Sequence, residues 1–170
     1  VYKFIISPPA QQVTLLQHAY DALKESVYGA LVMQTRLKPY LDSIGLIIDE
    51  TGVIFDTTAL VQMLDAKKAT DEGGAIWDLV DLNRTALPTL QAIGFDSVQK
   101  LDGWVSALSA NSPIRAELAA NDVIVADTTT QATTGSTRAD IYLGDSANNT
   151  FSGGDGNDIL SGGTGNDYLI

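Results

Sequence analysis

The sequence predicts two structures in succession: a mainly helical amino-terminal module with one small β-hairpin, and then a short stack of parallel strands. Three observations lead to this fold class. Apolar residues recur at three- and four-residue steps through much of residues 1–125. Two β-rich runs flank DETG at 49–52. The segment 135–170 holds 8 of the 15 glycines and divides into units of nine residues.

The composition limits the classes of partner. With 170 residues, 45 % of them hydrophobic, the chain is able to bury a core, and no apolar run approaches the roughly 18 residues of a membrane span. The net charge of −11 argues against nucleic acid or an anionic membrane surface as a partner. It fits a chain that holds cations or stays soluble outside a cell. Because there is no cysteine, disulfides cannot stabilise the fold, and a bound metal is the usual alternative in a small secreted domain.

The first predicted element is a long amphipathic helix. Ser7 is a suitable N-cap, and the prolines at positions 8 and 9 fit a first helical turn, where a missing N–H costs nothing. The apolar period continues to about Leu37. Pro39 should then kink or end the helix.

The next elements are short. LIIDETGVIF at 46–55 predicts a hairpin with Gly52 at the positive-φ position, and Asp56 or Thr57 is suited to cap a helix that runs through Leu64. Further helices are predicted over 75–85, 88–93, 97–108 and 113–120. Small or turn-forming residues separate them, at Gly73-Gly74, Gly94 and Asn111. VIV at 123–125 suggests a strand, so the boundaries are a helical module at 1–125 and a threonine-rich linker at 126–134.

The nine-residue units follow a fixed pattern. GGDGNDILS at 153–161 and GGTGNDYLI at 162–170 have glycine at the first, second and fourth places, aspartate at the sixth and leucine at the eighth. GSTRADIYL at 135–143 and GDSANNTFS at 144–152 keep only part of this pattern. ADTTTQATT at 126–134 has neither the acid nor the apolar residue. The repeat block is therefore 135–170, with two degraded and two intact units.

The chemistry of such a unit suits a hard cation. A glycine-rich hexapeptide turns tightly and aims its carbonyl oxygens into one hollow, to which the aspartate adds a carboxylate. Calcium prefers six to eight such oxygens at about 2.3–2.6 Å. The other three residues form a short strand with one inward apolar side chain. Stacked units then make a parallel β-helix with a ladder of Tyr142, Phe151, Leu160 and Leu169.

These units resemble the RTX (repeats-in-toxin, haemolysin-type) calcium-binding nonapeptide. The resemblance implies a parallel β-roll, in which two units complete one turn and each calcium lies between a loop and the next loop on the same side. One implied site consists of Asp140, Asp158 and the carbonyls of Gly153, Gly154 and Gly156. The other consists of Asn149, Asp167 and the carbonyls of Gly162, Gly163 and Gly165. Arg138 replaces a turn glycine, and left-handed geometry there would cost about 1–2 kcal/mol.

The same resemblance implies a biological role. RTX proteins leave Gram-negative bacteria by type I secretion, largely unfolded, and fold on meeting extracellular calcium. We therefore expect calcium as the cofactor and a secreted, extracellular or cell-surface location. The chain begins at Val1 and stops at the end of a repeat, so we expect it to be a piece of a longer protein whose targeting signals lie elsewhere.

Other interpretations of the glycine-rich block are weaker. No lysine follows the glycines as a phosphate-binding loop requires, and the acids would repel an anion. The spacing of an EF-hand loop is absent. A plain linker would not keep an apolar residue at every ninth position.

No catalytic site is predicted. We assign His18 to a surface or helix contact, DETG to the hairpin turn, Asp78 and Asp81 to a solvated helix face, and Trp77 and Trp104 to the core. GxSxG and HExxH motifs are absent. The favoured interpretation is a non-enzymatic, calcium-binding piece of a larger secreted protein. The alternatives are a helical module that binds a protein partner or host surface in an adhesin, toxin or bacteriocin, and a parent hydrolase with its active site elsewhere.

Overall fold

The computed structural model describes residues 9–50, 52–127 and 132–170. Six helices occupy the first part: α1 (Ala10–Gln34), α2 (Lys38–Asp42), α3 (Thr58–Thr70), α4 (Glu72–Ala92), α5 (Ser97–Ser106) and α6 (Pro113–Ala119). The strands are β1 (Gly45–Asp49), β2 (Gly52–Asp56), β3 (Val123–Val125), β4 (Ala132–Thr134), β5 (Ile141–Leu143), β6 (Thr150–Ser152), β7 (Ile159–Ser161) and β8 (Tyr168–Leu169). This order confirms the predicted fold class: a helical part with a small hairpin, followed by parallel strands.

The long first helix is shorter than predicted. Pro9 precedes its first turn, and the predicted cap Ser7 lies outside the described residues. The helix ends at Gln34, and Pro39 stands in the first turn of α2, where its missing N–H leaves no bond unmade. None of the helices in the described part of the chain is both long and apolar enough to cross a bilayer.

The hairpin forms as predicted. Strands β1 and β2 pair antiparallel, with Leu46 opposite Phe55 and Ile48 opposite Val53. Gly52 has a φ of 138°, which a side chain would disfavour, while Thr51 lies outside the described residues. All six large apolar side chains of the hairpin are exposed, so both of its faces are left open by the parts of the chain that the structure describes.

The two helices predicted over 75–85 and 88–93 are a single helix, α4, with Pro88 inside it. The prediction of a break was wrong because α4 is the centre of the core: its buried apolar residues hold the helical path despite the lost hydrogen bond. Gly73 and Gly74 also lie within its first turn instead of separating helices. The carboxylate of Asp71 accepts from the amide of Gly74 at 2.9 Å and fills the space that a side chain at that position would need.

The core of the helical module surrounds α4, which packs against α1, α3 and α5. Leu60, Leu79 and Leu101 are fully buried in it. Trp104 is 9 % exposed and lies in the same cluster, where its ring contacts the ammonium groups of two lysines. Trp77 is half-buried against the cluster. His18 is exposed on α1, in agreement with the predicted surface role.

The acids Asp78 and Asp81 are buried, so their assignment to a solvated face was wrong. Their residues are 0 % and 1 % exposed. Arg36 pairs with both of them, and the ammonium of Lys67 lies 2.6 Å from Asp78 Oδ2. Tyr40 donates to the same oxygen at 2.6 Å, and burial together with that hydrogen bond raises the pKa of the tyrosine hydroxyl. Asp78 therefore joins α4 to α2 and α3, and Asp81 joins it to α1, because the Tyr28 hydroxyl donates to Asp81 Oδ2 at 2.9 Å.

We predict that Asp78→Ala lowers the free energy of unfolding by about 3–5 kcal/mol, because it leaves Arg36, Lys67 and the Tyr40 hydroxyl without their shared partner. Urea denaturation followed by tryptophan fluorescence measures this loss. Asp65→Ala is the matched control, since that side chain is 53 % exposed and pairs with Lys100 near the surface; it should cost at most about 1 kcal/mol. Equal losses would contradict a structural role for the buried network.

The carboxyl-terminal part is a β-roll, a coil formed by two parallel sheets. Their strand orders are β3-β5-β7 and β4-β6-β8. Each strand pairs with the strand 18 residues later, so Ile141 lies opposite Ile159 and Phe151 opposite Leu169. Two nine-residue units therefore complete one turn. The sheets begin upstream of the predicted block 135–170, because β3 and β4 pair with the first repeat strands.

One sheet joins the coil to the helices. Val123, Ile141 and Leu143 are at most 1 % exposed and belong to the same apolar cluster as the helical core. Tyr142 alternates with them and faces the interior of the coil, in a second cluster. The sheet β3-β5-β7 thus packs against apolar clusters on both faces, most completely at β5.

Candidate metal centre

The glycine-rich loops stack at the two edges of the coil. Loop 153–158 lies on loop 135–140: a Cβ added to Gly154 would be 2.6 Å from the Ser136 carbonyl, and one added to Gly156 would be 2.5 Å from the Arg138 carbonyl. Loop 162–167 lies in the same way on loop 144–149. These are the two pairs of loops that the sequence predicts for the two metal sites.

The residues at the sixth place form a ladder at each edge. The amide of Asp140 donates to Asp158 Oδ1 at 2.9 Å, and the amide of Asn149 donates to Asp167 Oδ1 at 2.9 Å. Both bonds join positions 18 residues apart. The structure therefore brings together the predicted side-chain ligands of each site, one pair at each edge.

The carboxylate of Asp140 is buried among other oxygen atoms of the stacked loops. The residue is 1 % exposed, and Oδ2 accepts from the amide and hydroxyl of Ser136 at 2.8 and 3.1 Å. Burial raises its pKa, the hydrogen bonds from Ser136 oppose this, and the charges of Asp122 and Asp158 raise it further. A cation bound nearby would stabilise the ionised form of this carboxylate.

Two glycines that were not among the predicted site residues make room for this arrangement. The space that a Cβ of Gly135 would fill is bordered by the Gly153 carbonyl and, at 2.7 Å, by Asp140 Oδ2. The corresponding space at Gly144 is bordered by the Gly162 carbonyl and, at 2.6 Å, by the side-chain oxygen of Asn149. Glycine at the first place of all four units was the available signal.

The degraded loops are closed by side-chain turns. The amide of Arg138 donates to Ser136 Oγ at 2.9 Å, and the amide of Ala147 donates to Asp145 Oδ1 at 2.8 Å. Arg138 does not have a positive φ, so the expected left-handed strain there was wrong. In the intact loops Gly154, Gly156, Gly163 and Gly165 do have positive φ.

The donor set fits calcium. Within the described ranges no three acidic or histidine side chains come close enough to hold a metal by themselves, so backbone carbonyls must supply most of the ligands. A mixture of carbonyl and carboxylate oxygens in flexible loops is the coordination that calcium takes. Asp140 with Asp158 and Asn149 with Asp167 would hold the ions, together with the glycine carbonyls of 153–156 and 162–165. A bound ion would cancel the negative charge at each edge.

The apolar ladder lies between the two edges. Tyr142 and Phe151 are fully buried, and their ring centroids are 4.1 Å apart. Leu160 is half-buried against them, and Leu169 in the last turn is 40 % exposed. Burial therefore decreases toward the end of the coil.

Comparison with known proteins agrees with this geometry. The family model of the RTX calcium-binding nonapeptide repeat matches residues 134–169 in four copies. The iron-regulated protein FrpA of Neisseria meningitidis serogroup C is 33 % identical over 70 residues, which is 41 % of this chain and 6 % of FrpA. The chain thus spans only a small part of that relative. No solved structure matches it.

We predict that Gly156→Ala weakens calcium binding and the strands that follow, because the new methyl group would meet the Arg138 carbonyl at 2.5 Å in a backbone with φ of 127°. The expected loss is at least about 1–2 kcal/mol, or roughly tenfold in affinity by isothermal titration calorimetry. Gly103→Ala in α5 is the matched control: it has open space and helical geometry, so it should leave calcium affinity unchanged. Equal affinities for the two variants would contradict the stacked-loop site.

Proposed function

Because residues 134–169 are RTX calcium-binding nonapeptide repeats, we propose that they are a folding switch, which is unfolded at low calcium and folds in extracellular calcium. The observation that carries the proposal is the convergence of buried carboxylate and carbonyl oxygens at the stacked loops around Asp140 and Gly153. Without a cation these groups repel one another, and with one they become its ligands.

The energetics are those of a ligand that binds only the folded state. Such a ligand stabilises the fold by RT ln(1 + [L]/Kd), about 2.7 kcal/mol at a hundredfold excess over Kd. The strands of the coil have only two or three residues each, so little else holds its last turn. A contribution of this size decides whether that turn is folded.

We also propose a context for this chain within a longer protein. In this proposal the chain is a non-enzymatic part of a larger bacterial protein that leaves the cell by type I secretion. The net charge of −11 and the absence of cysteine suit a chain that crosses the cell envelope unfolded and is then stabilised by an ion from the surroundings instead of by disulfides. The match to a small part of the much longer FrpA is compatible with a large parent protein.

A calcium titration followed by far-ultraviolet circular dichroism tests the switch. The strand signal should be incomplete with chelator and should rise saturably with calcium, while magnesium at the same concentration has little effect. A strand signal that is already complete with chelator would sink the proposal.

Two aspartates provide the matched pair for this titration. Asp158 is at the sixth place and accepts from the Asp140 amide, whereas Asp145 closes a turn through the Ala147 amide. Asp158→Ala should therefore weaken calcium binding more than Asp145→Ala. Equal effects would show that the register of the ligands is wrong.

A specific observation also favours a second candidate function for the helical module, the binding of a protein partner through α1. Val13, Leu16, Tyr20, Leu23 and Val27 follow the three–four spacing of a heptad repeat and are between 49 and 64 % exposed. Valine at two a positions with leucine at two d positions is typical of parallel, two-stranded coiled coils. The opposite side of the helix packs on α4, where Gly29 meets Thr85. We propose that the partner is α1 of a second copy of this chain.

Analytical ultracentrifugation over a range of protein concentrations tests this pairing, with and without calcium. The chain should shift from monomer to dimer as its concentration rises, and the double variant Leu16→Asp/Leu23→Asp should remain monomeric. Leu15→Asp is the matched control, since that residue is 70 % exposed but lies off the stripe. A monomer at every concentration, or an equal effect of the control, would contradict self-association.

A further inference from the structure

Asp122 occupies the sixth place of a unit that the repeat pattern does not reveal. It stands 18 residues before Asp140, which stands 18 residues before Asp158. Its carbonyl accepts from the amide of Ile141 at 2.8 Å, as the carbonyl of Asp140 accepts from the amide of Ile159 at 2.9 Å. Each of these aspartates directly precedes a strand of the same sheet.

The helix α6 stands where the glycine-rich loop of this first unit would be. Asp122 follows its end and has a φ of 60°, which makes it the one non-glycine residue with positive φ in the described part of the chain. Aspartate tolerates this conformation better than most residues. Arg84 of α4 holds the preceding residue, since its guanidinium donates to the Asn121 carbonyl at 2.7 Å.

A guanidinium lies at the carboxylate of this unit. Arg138 Nη2 is 2.6 Å from Asp122 Oδ2, and the two side chains are 50 % and 19 % exposed. Arg138 is at the fourth place of the unit one turn after Asp122, and the unit one turn later on the same edge has Gly156 at that place. The turn through Ser136 Oγ holds the backbone of Arg138 without a left-handed residue.

We propose that Arg138 takes the place of a calcium ion on Asp122, so that the first turn of the coil is closed without metal. The inference rests on the proposed calcium switch and restricts it to the turns that follow. The guanidinium of Arg138 neutralises the carboxylate of Asp122. One turn later, Asp140 and Asp158 lie next to each other, and in this proposal a cation from solution neutralises their carboxylates.

Burial supports a first turn that is complete before calcium arrives. Val123, Ile141 and Leu143 of the paired strands β3 and β5 are at most 1 % exposed within the helical core. In contrast, the three residues of β7 are half-buried, and both residues of β8 are exposed. Folding would then proceed from the helical module outward, one calcium site at a time.

Hydrogen exchange with mass spectrometry, on the whole chain in chelator and in calcium, tests this. In chelator the amides of 141–143 should be protected and those of 159–161 and 168–169 should not, whereas calcium should protect all of them. Arg138→Gln should speed exchange at 141–143 in chelator on the order of fivefold. Arg138→Lys should keep most of the protection, and Asp122→Asn, which tolerates the same backbone, should lose it.

The outcomes separate this inference from the switch itself. If 141–143 exchange freely in chelator, or if Arg138→Gln changes exchange no more than the surface control Lys38→Gln, the arginine has no such role although the switch stands. If 159–161 are also protected in chelator, the switch fails. Arg138→Gly, which restores the glycine of the repeat, should make protection of 141–143 depend on calcium; protection that stays independent of calcium would overturn the inference.

Discussion

The burial of one sheet on both faces is the constraint on which the rest of this structure depends. Strands of two or three residues are too short to be stable by themselves, and parallel pairs need cover on each side. The sheet β3-β5-β7 has this cover, since Tyr142 faces the interior of the coil while Ile141 and Leu143 pack among the helices. The helical module is therefore the surface against which the first strands of the repeats pack.

The second sheet lacks such support, and this contrast is the physical basis of the proposed metal dependence. In β4 the side chains of Ala132 and Thr134 are exposed, and in β6 only Phe151 is fully buried. Besides the pairing of its own strands, this sheet is held by the stacking of Phe151 on Tyr142 and by bonds between loops, such as that from Asn149 to Asp167. Ions bound at the loops, as proposed above, would add stability where the core supplies little, and their contribution would grow with each turn away from the helices.

The sequence predicts the local parts of this fold better than its long-range parts. The nine-residue period predicted the loops, the strands and the apolar ladder, because each follows from residues close together in the chain. Burial of Asp78 and Asp81 was not predictable in this way, since it depends on Arg36, in the turn between α1 and α2, and on Lys67 of α3. The unit at Asp122 was hidden for a similar reason: a helix replaces its glycines, and only the strand pairing reveals the register.

The imperfect repeats follow from the direction in which the loops stack. In an intact loop a Cβ on the second or fourth residue would meet a carbonyl of the loop one turn earlier, as at Gly156 and Arg138, so only glycine fits there. One turn before Arg138 the chain has the end of α6 instead of a glycine-rich loop, so this requirement does not apply to Arg138. A side-chain turn through Ser136 then suffices, and the fourth place is free for a residue that carries positive charge to Asp122. The departure of GSTRAD from the repeat pattern is therefore a property of its position beside the helices.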